Sequence, residues 1–220
     1  MILLNFKTYK ETYGNKAIEL AKIVKKVADK TGIRMIVVAS ALDAARISKE
    51  TGVEVWLQNV DEYSGGRATG WTSMDQARAL GIKGSLLNHS EHGKPKGTIL
   101  KIIKGKPDDF EICLCIGSLG QIEKWGAQAG ADYIMFEPPS LIASKDKSIA
   151  TEEPKMIMHV VEKAPGTKIV AGAGIKSKSD VEICLKMGAV GVVSASDFVL
   201  SADPEKELME LVEGFTGIIH

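Results

Sequence analysis

Residues 2–39 read ILLNFKTYKETYGNKAIELAKIVKKVADKTGIRMIVVA, and this stretch decides the fold. It begins with a short apolar run at Ile2–Phe6 and ends with another at Arg34–Ala39. Between them, apolar residues recur about every third position over Asn15–Lys30, which indicates a helix with one buried face. Gly32 is placed to end that helix. Two apolar strands joined by a helix predict a β-α-β unit with parallel strands.

The same pattern continues along the chain. Further short apolar runs, poor in charge, occur at Glu54–Gln58, Gly84–Asn88, Glu111–Ile116, Asp132–Glu137, Lys168–Gly172 and Val190–Ser194. Such runs are typical of parallel strands that are buried on both faces. Helical patterns lie between or after them, among others at Asp43–Thr51, Ser73–Leu80, Leu119–Ala129, Ser179–Met187 and Glu205–Val212. Asp203 and Pro204 are predicted as the N-cap and first-turn proline of the last helix.

Eight alternating strand–helix repeats favour one architecture. They predict an α/β fold in which eight parallel strands close into a (β/α)8 barrel, as a single domain over residues 1–220. An open, doubly wound parallel sheet is the structural alternative.

Composition limits the class of protein. The 220 residues carry 28 basic and 28 acidic side chains, so no basic arm for nucleic acid and no membrane-binding surface is expected. No apolar run is long enough to span a membrane, and no signal peptide precedes the first strand. Three cysteines, of which Cys113 and Cys115 lie in an apolar run, favour buried strand positions over a disulfide framework or a metal site. A cytoplasmic protein is therefore expected.

Polar side chains fall where the predicted strands end. These segments are Asn5-Phe6-Lys7, Asn88-His89-Ser90-Glu91-His92, Glu137, Gly172-Ala173-Gly174 and Ser194-Ala195-Ser196. In β/α barrels the chemistry lies at the C-terminal ends of the strands. The rim therefore brings together a cation that can fix an anion, an imidazole and a carboxylate that can move protons, and small residues that let backbone N–H groups approach a phosphate.

Each of these residues has an ordinary structural interpretation when taken alone. Lys7 could be a solvated surface lysine, His89 a structural hydrogen-bonding residue, and Glu137 a solvated strand end. The Gly172-x-Gly174 pattern is common in turns. Their joint placement at the ends of several strands is what favours an active site that shifts a proton on a small phosphorylated sugar.

At this point the chain resembles the triosephosphate isomerase family, particularly its shorter archaeal form. The resemblance covers essentially the whole chain and supports a TIM barrel. The segments that carry it are Asn5-Phe6-Lys7, Asn88-His89-Ser90-Glu91, Phe136-Glu137-Pro138-Pro139, Ala171-Gly172-Ala173-Gly174-Ile175, Ala195-Ser196 and the loop Gly65–Ser73. The family interconverts dihydroxyacetone phosphate and glyceraldehyde 3-phosphate, in glycolysis and gluconeogenesis, without cofactor or metal.

The resemblance implies a role for each site residue. Glu137 would take the proton from the substrate carbon, and His89, neutral, would polarise the carbonyl. Lys7 would stabilise developing negative charge, Asn5 would help to place the substrate, and Glu91 would support Lys7. This mechanism is a worked example of a carboxylate base beside a neutral histidine.

The resemblance also implies a set of substrate-binding residues around the phosphate. They are Asn5, Lys7, Ile142, Ala143, Gly172, Ala173, Gly174, Ala195 and Ser196. One segment departs from the family, whose closing lid usually contains Ile-Gly-Thr-Gly. Here Ile142 is followed by Ala143-Ser144-Lys145-Asp146-Lys147-Ser148, without those glycines. Since glycine permits unusual backbone angles, a working but slower enzyme is expected.

The family's loop after the third strand reaches into a neighbouring subunit, which implies a homo-oligomer, either a dimer or a tetramer. Thr69 would then support Asn5 and Lys7 of the partner. Trp71 is expected either to pack locally or to contact that partner. The apolar residues at Ile99–Ile103 fit either a second interface or a buried helix face.

Two other functions remain open at this stage. One is another phosphosugar barrel enzyme, such as an aldolase or a biosynthetic isomerase, because the Gly-x-Gly turn suits those as well. The other is a catalytically silent paralogue kept as a binding protein, which only the glycine-poor lid favours.

Overall fold

The computed structural model describes residues 1–63, 65–142 and 147–216. Eight parallel strands form a closed barrel in chain order, which confirms the predicted fold and excludes the open sheet. The strands are β1 (Ile2–Asn5), β2 (Met35–Ala39), β3 (Glu54–Leu57), β4 (Gly84–Leu87), β5 (Glu111–Ile116), β6 (Tyr133–Phe136), β7 (Lys168–Ala171) and β8 (Gly191–Ser194). β1 pairs with β2 on one side and with β8 on the other, which closes the ring.

Helices surround the barrel. They are α1 (Asn15–Thr31), α2 (Ala44–Thr51), α3 (Met74–Ala79), α4 (Lys96–Lys104), α5 (Leu119–Gln121), α6 (Ile149–Glu152), α7 (Pro154–Lys163), α8 (Lys178–Lys186), α9 (Ser196–Val199) and α10 (Pro204–Thr216). Asp203 accepts a hydrogen bond from the Lys206 backbone N–H at 3.1 Å, which confirms it as the cap of α10.

Alternation along each strand divides the core into two layers. On β1, the side chain of Leu3 belongs to a cluster inside the barrel with Ile36, Trp56 and Met135. Its neighbours Ile2 and Leu4 belong to the larger cluster shared with the helices. Because successive strand residues point to opposite faces, the strands are apolar on both sides, as their sequences predicted.

The first β-α-β unit shows why its sequence folds in this way. Ala17, Ala21 and Val24 are fully buried on one face of α1. Gly32 follows with a φ of 72°, and its N–H donates to Ala28 O at 2.8 Å. A residue with a side chain would be strained in this left-handed conformation, so glycine ends the helix and turns the chain into β2.

The predicted helix at Leu119–Ala129 differs from the structure. α5 ends at Gln121 and continues as a π-turn over Ile122–Gly126. Gly126 packs so closely on the Ile116 side chain that a β-carbon would overlap it. This contact with the end of β5 is tertiary, so the helical period alone does not reveal it.

Two other sequence interpretations are resolved by burial. Cys113 and Cys115 are free, lie on β5 and are buried, and desolvation raises the pKa of both thiols. The strand interpretation is thus confirmed. Ile99, Ile102 and Ile103 are buried against the barrel within this chain, which favours the helix-face interpretation over a second interface. Among the described residues, none of the helices combines the length and apolar character needed to cross a membrane.

Candidate active site

The C-terminal ends of the strands surround one cavity. The predicted residues that line it are Asn5, Lys7, His89, Glu137, Ile142, Ala173, Gly174, Ala195 and Ser196. Ile175, Val193, Ser194 and Asp197 complete the lining. Ala143, predicted to bind substrate, belongs to the segment 143–146, which lies outside the described residues. The fold therefore brings together side chains that are separated by most of the chain.

Lys7 follows β1 in an uncommon backbone conformation, with a φ of 49°. This left-handed region costs a residue with a side chain roughly 1–2 kcal/mol. Two side chains hold the backbone there, because the Lys7 N–H donates to Asn5 Oδ1 at 3.0 Å and Gln58 Nε2 donates to Lys7 O at 2.7 Å. Gln58 ends an apolar run as other site residues do, but it was not among the predicted site residues.

Lys7 and Glu91 form an ion pair above the cavity. Lys7 Nζ lies 2.6 Å from Glu91 Oε1, and the two side chains are 15% and 54% exposed. The exposed carboxylate holds the lysine ammonium in place while solvent screens the pair. This contact matches the supporting position predicted for Glu91.

His89 is buried at the start of the turn after β4. Its Nδ1 accepts the Glu91 backbone N–H at 3.2 Å, and an imidazole nitrogen can accept only when it carries no proton. This hydrogen bond is the one that the tautomer with its hydrogen on Nε2 makes. Nε2 lies 3.4 Å from Glu137 Oε2, so the donor faces the carboxylate.

Glu137 continues directly from β6 and is held by its backbone N–H, which donates to Ile116 O at 3.1 Å. Its side chain is only 12% exposed, and among the described residues its buried Oε2 has no hydrogen-bond partner. Gly172 makes room for it, since a β-carbon there would lie 2.8 Å from Glu137 Cγ. A buried carboxylate oxygen without a partner is costly, and such sites are often functional.

The turn Gly172–Gly174 borders the cavity, which its residues Ala173 and Gly174 line. Gly174 has a φ of 75°, and a β-carbon there would lie 2.9 Å from Ser148 Cα. The Ile149 N–H donates to Ala173 O at 3.1 Å. The segment that follows residue 146 is thus packed directly on this turn, and only glycine fits at position 174.

Another ion pair supports the loops beside the site. Unlike the pair of Lys7 and Glu91, it is largely buried, and sequence patterns did not indicate it. Lys94 Nζ lies 2.7 Å from Asp61 Oδ1, and the Thr72 N–H donates to Asp61 Oδ2 at 2.9 Å. Burial alone would raise the pKa of Asp61, but the hydrogen bonds from Lys94 and Thr72 outweigh it and lower that pKa. The pair holds the end of the loop Gly65–Ser73, for which the family resemblance implies a contact with a neighbouring subunit.

On that loop, the ring of Trp71 packs on Tyr63 with centroids 4.8 Å apart, yet the two residues are still 48% and 38% exposed. Local packing therefore covers only part of Trp71. Thr69 is exposed, and its predicted contact with a partner subunit stays a prediction.

Within residues 1–63, 65–142 and 147–216, no group of three or more His, Cys, Asp or Glu side chains is arranged to hold a metal ion.

Comparisons with known proteins agree with this geometry. A family model described as triosephosphate isomerase matches residues 1–213. The chain is similar to the triosephosphate isomerase of Methanothermus fervidus, with 32% identity over 96% of this chain and 97% of that protein. The enzyme of Metallosphaera sedula is 33% identical over 97% of this chain and 95% of its own length. That of Methanocaldococcus jannaschii is 32% identical over 97% of this chain and 99% of its own.

Proposed function

The chain belongs to the triosephosphate isomerase family, and we propose that Glu137, His89 and Lys7 carry out its reaction, the interconversion of dihydroxyacetone phosphate and D-glyceraldehyde 3-phosphate. The reaction is an aldose–ketose isomerisation and a step of glycolysis. It moves one proton between neighbouring carbons and shifts two electrons within the substrate, so neither a redox cofactor nor a second substrate is required.

Glu137 is the base in this proposal. Its Oε2, which has no partner in the described part of the chain, removes a proton from the carbon beside the carbonyl, which leaves an enediolate, and returns a proton to the neighbouring carbon. Burial favours this role, because the side chain is only 12% exposed and lines the cavity instead of facing bulk water. Gly172 leaves the space in which the carboxylate can reach the substrate.

His89 and Lys7 stabilise the oxygens of the enediolate. The Nε2–H of a neutral His89 can donate to one oxygen and, as the proton moves, take part in its transfer to the other. The Lys7 ammonium, which also lines the cavity, supplies positive charge. Donors that are already placed before the reaction stabilise developing charge more than they stabilise the substrate.

The phosphate is received by the turn Gly172–Gly174 and by Ala195 and Ser196. Small residues at these positions let backbone N–H groups approach an anion. The predicted substrate contacts of Ile142 and Asn5 follow from their place in the lining of the same cavity. Ala143 keeps its predicted contact as part of this proposal.

One observation supports this function more than any other. A buried carboxylate oxygen of Glu137, which has no hydrogen-bond partner among the described residues, lies 3.4 Å from Nε2 of His89, in a cavity that also holds Lys7. A silent binding protein would gain nothing from such an arrangement, which costs stability. A different phosphosugar enzyme would need its own reactive group, and nothing specific in the described site favours one.

A coupled assay with glyceraldehyde 3-phosphate tests the proposal. Glu137→Gln keeps the shape of the side chain but removes the base, so kcat should fall by about 10²- to 10⁴-fold. Glu152→Gln, which removes an acidic group from the partly exposed α6, is the matched control and should retain full activity. A Glu137→Gln variant with near-normal kcat would exclude Glu137 as the base.

We also propose a homo-oligomer built on the loops after the first three strands. These loops carry exposed apolar side chains: Tyr13 and Leu42 are 55% and 93% exposed, and Tyr63 and Trp71 pack on each other while still partly exposed. Such a patch marks an interaction surface more often than a solvated one. Sedimentation should give a dimer or larger species for the wild type and a smaller one for Trp71→Lys. An unchanged monomer in both cases would contradict the proposal.

We also propose a cytoplasmic location.

A further inference from the structure

Asp180 is a buried carboxylate outside the cavity, in the first turn of α8, and it is only 6% exposed. Its Oδ2 accepts the backbone N–H groups of Lys176 and Ser177, each at 3.1 Å, and the Ser177 hydroxyl at 3.0 Å. Its Oδ1 accepts the Ser148 hydroxyl at 2.7 Å. A carboxyl group this deeply buried is tolerated because these donors satisfy the hydrogen-bonding capacity of its oxygens.

The bond to Ser148 exceeds what the start of a helix requires. The Ser177 hydroxyl accepts the Asp180 N–H at 3.2 Å, which together with the returning bonds completes a capping box. A capping box needs no contact with another part of the chain. The bond to Ser148 instead joins α8 to a segment that lies 32 positions earlier in the sequence.

Ser148 is itself firmly held. It is 3% exposed, and its Oγ accepts the Thr151 N–H at 3.1 Å at the start of α6. The Thr151 hydroxyl accepts the Ser148 N–H at the same distance. A displacement of Asp180 would therefore move the start of α6 as well as that of α8.

These two anchored segments enclose the turn Gly172–Gly174. Ser148 and Ile149 contact it on one side, through the close approach to Gly174 and the 3.1 Å bond from the Ile149 N–H to Ala173 O. On the other side the chain runs from Gly174 directly into Lys176 and Ser177, whose N–H groups Asp180 holds. One carboxylate thus fixes both flanks of the turn.

We propose that Asp180 is a positioning residue for the substrate's phosphate group, acting through Ser148 and through the turn Gly172–Gly174. The inference rests on the proposed function, because it takes that turn as the phosphate site. Backbone donors bind an oxyanion well only when their directions are fixed beforehand. Asp180 supplies this fixation without touching the substrate, so its loss weakens the hold on phosphate and leaves the proton-transfer groups in place.

Two substrates separate this role from a general structural one. Glyceraldehyde 3-phosphate carries the phosphate, whereas glyceraldehyde presents the same reacting carbons without it. Asp180→Asn should lower kcat/KM for the phosphorylated substrate roughly tenfold and raise the inhibition constant of inorganic phosphate by a similar factor, as expected when a hydrogen bond to a charged group is lost. The slow turnover of glyceraldehyde should not change.

Ser148 provides the matched pair of variants. Ser148→Ala removes only the bond to Asp180 and the cap on Thr151, and it should reproduce the selective loss. Ser148→Thr keeps a hydroxyl and should restore most of the phosphate affinity. If Asp180→Asn does not fold, the comparison between Ser148→Ala and Ser148→Thr decides the question in its place.

Two outcomes would overturn the inference. One is an equal loss toward both substrates, which would mean that Asp180 supports the fold as a whole. The other is an unchanged inhibition constant for inorganic phosphate in both Asp180→Asn and Ser148→Ala. A wild-type enzyme without triose phosphate isomerisation would refute the proposed function instead, and the binding of inorganic phosphate measured directly by calorimetry would still report on the turn.

Discussion

The two ends of the barrel use charged residues in opposite ways. At the N-terminal floor, Arg34 immediately precedes β2. It lies among Glu54, Glu111 and Tyr133, which are the first residues of β3, β5 and β6. Its guanidinium donates to Glu54 at 2.9 and 2.6 Å, to the Tyr133 hydroxyl at 2.8 Å and to Glu111. The Tyr133 hydroxyl in turn donates to Glu111 at 3.1 Å.

At the C-terminal rim, the polar groups are left incomplete. Lys7 has a left-handed backbone and pairs with a single half-exposed carboxylate. The Glu137 carboxylate has one buried oxygen without a partner among the described residues. The floor satisfies its charges within the chain, whereas Lys7 and Glu137 at the rim stay available for a substrate. The difference fits a floor that serves stability and a candidate site that serves catalysis.

Replacing Lys7 should separate the two roles most strongly. Lys7→Ala removes the cation that we propose stabilises the enediolate, so kcat/KM should fall by about 10²- to 10³-fold. The free energy of unfolding should change by less than about 0.5 kcal/mol, because the pair with Glu91 is partly exposed. The coupled assay and urea unfolding measure the two quantities.

Lys10→Ala is the control, since this lysine side chain lies on the same loop but is 84% exposed. It should change neither quantity. A Lys7→Ala variant that loses stability and activity together would show that the rim is structural as well, and the contrast with the floor would fail.

The pair of Asp61 and Lys94 tests a rim charge that is fully partnered. Asp61→Asn leaves the Lys94 ammonium buried without its counter-charge, so the protein should lose about 2–3 kcal/mol of stability at neutral pH. The pKa of Asp61 is lowered from its ordinary value of 3.8. Its carboxylate therefore stabilises the fold above that value, and this stabilisation is lost as pH falls through the lower folded pKa.

Denaturant unfolding at several pH values should show the gap between wild type and Asp61→Asn close in acid. Asp75→Asn, which removes a half-exposed partner of Arg78, is the control and should stay within about 0.5 kcal/mol. A gap that persists unchanged in acid would mean that the loss comes from packing and not from charge.

The smallest effect is expected at the floor. Arg34→Met keeps an apolar stem but removes the shared donor and the guanidinium over the Trp56 ring, and it should cost about 1–2 kcal/mol of stability, because the side chain is partly exposed. kcat should remain at the wild-type value. Arg46→Met, in an exposed pair with Glu50, is the matched control and should leave the stability unchanged. A clear fall in kcat for Arg34→Met would link the floor to catalysis.

The sequence predicted the barrel well because the signal is local. Apolar runs mark strands buried on both faces, and Gly32 and Asp203 mark helix ends through their own backbone or side-chain bonds. The π-turn after α5 depends on the contact between Gly126 and Ile116, which only the folded barrel creates. The helical period therefore predicted a regular helix there.

The candidate site shows the same contrast between local signals, which the sequence carries, and tertiary contacts, which it does not. Lys7, His89 and Glu137 could be located because each follows a strand, and the rim gathers strand ends. The residues that hold the site were missed: the contact of Gln58 with Lys7 spans 51 positions, that of Lys94 with Asp61 spans 33, and that of Asp180 with Ser148 spans 32. No local pattern records such pairings, since they arise from packing.

Hydrogen exchange with the solvent tests the central role of Glu137 most directly. Dihydroxyacetone phosphate is converted in heavy water, and the glyceraldehyde 3-phosphate formed is trapped by oxidation and analysed by mass spectrometry and NMR. If Glu137 relays the proton, the product carries solvent deuterium at the carbon that receives it, and Glu137→Gln slows both exchange and isomerisation by the same factor. A product without solvent deuterium, or exchange that proceeds at the wild-type rate in Glu137→Gln, would contradict the account.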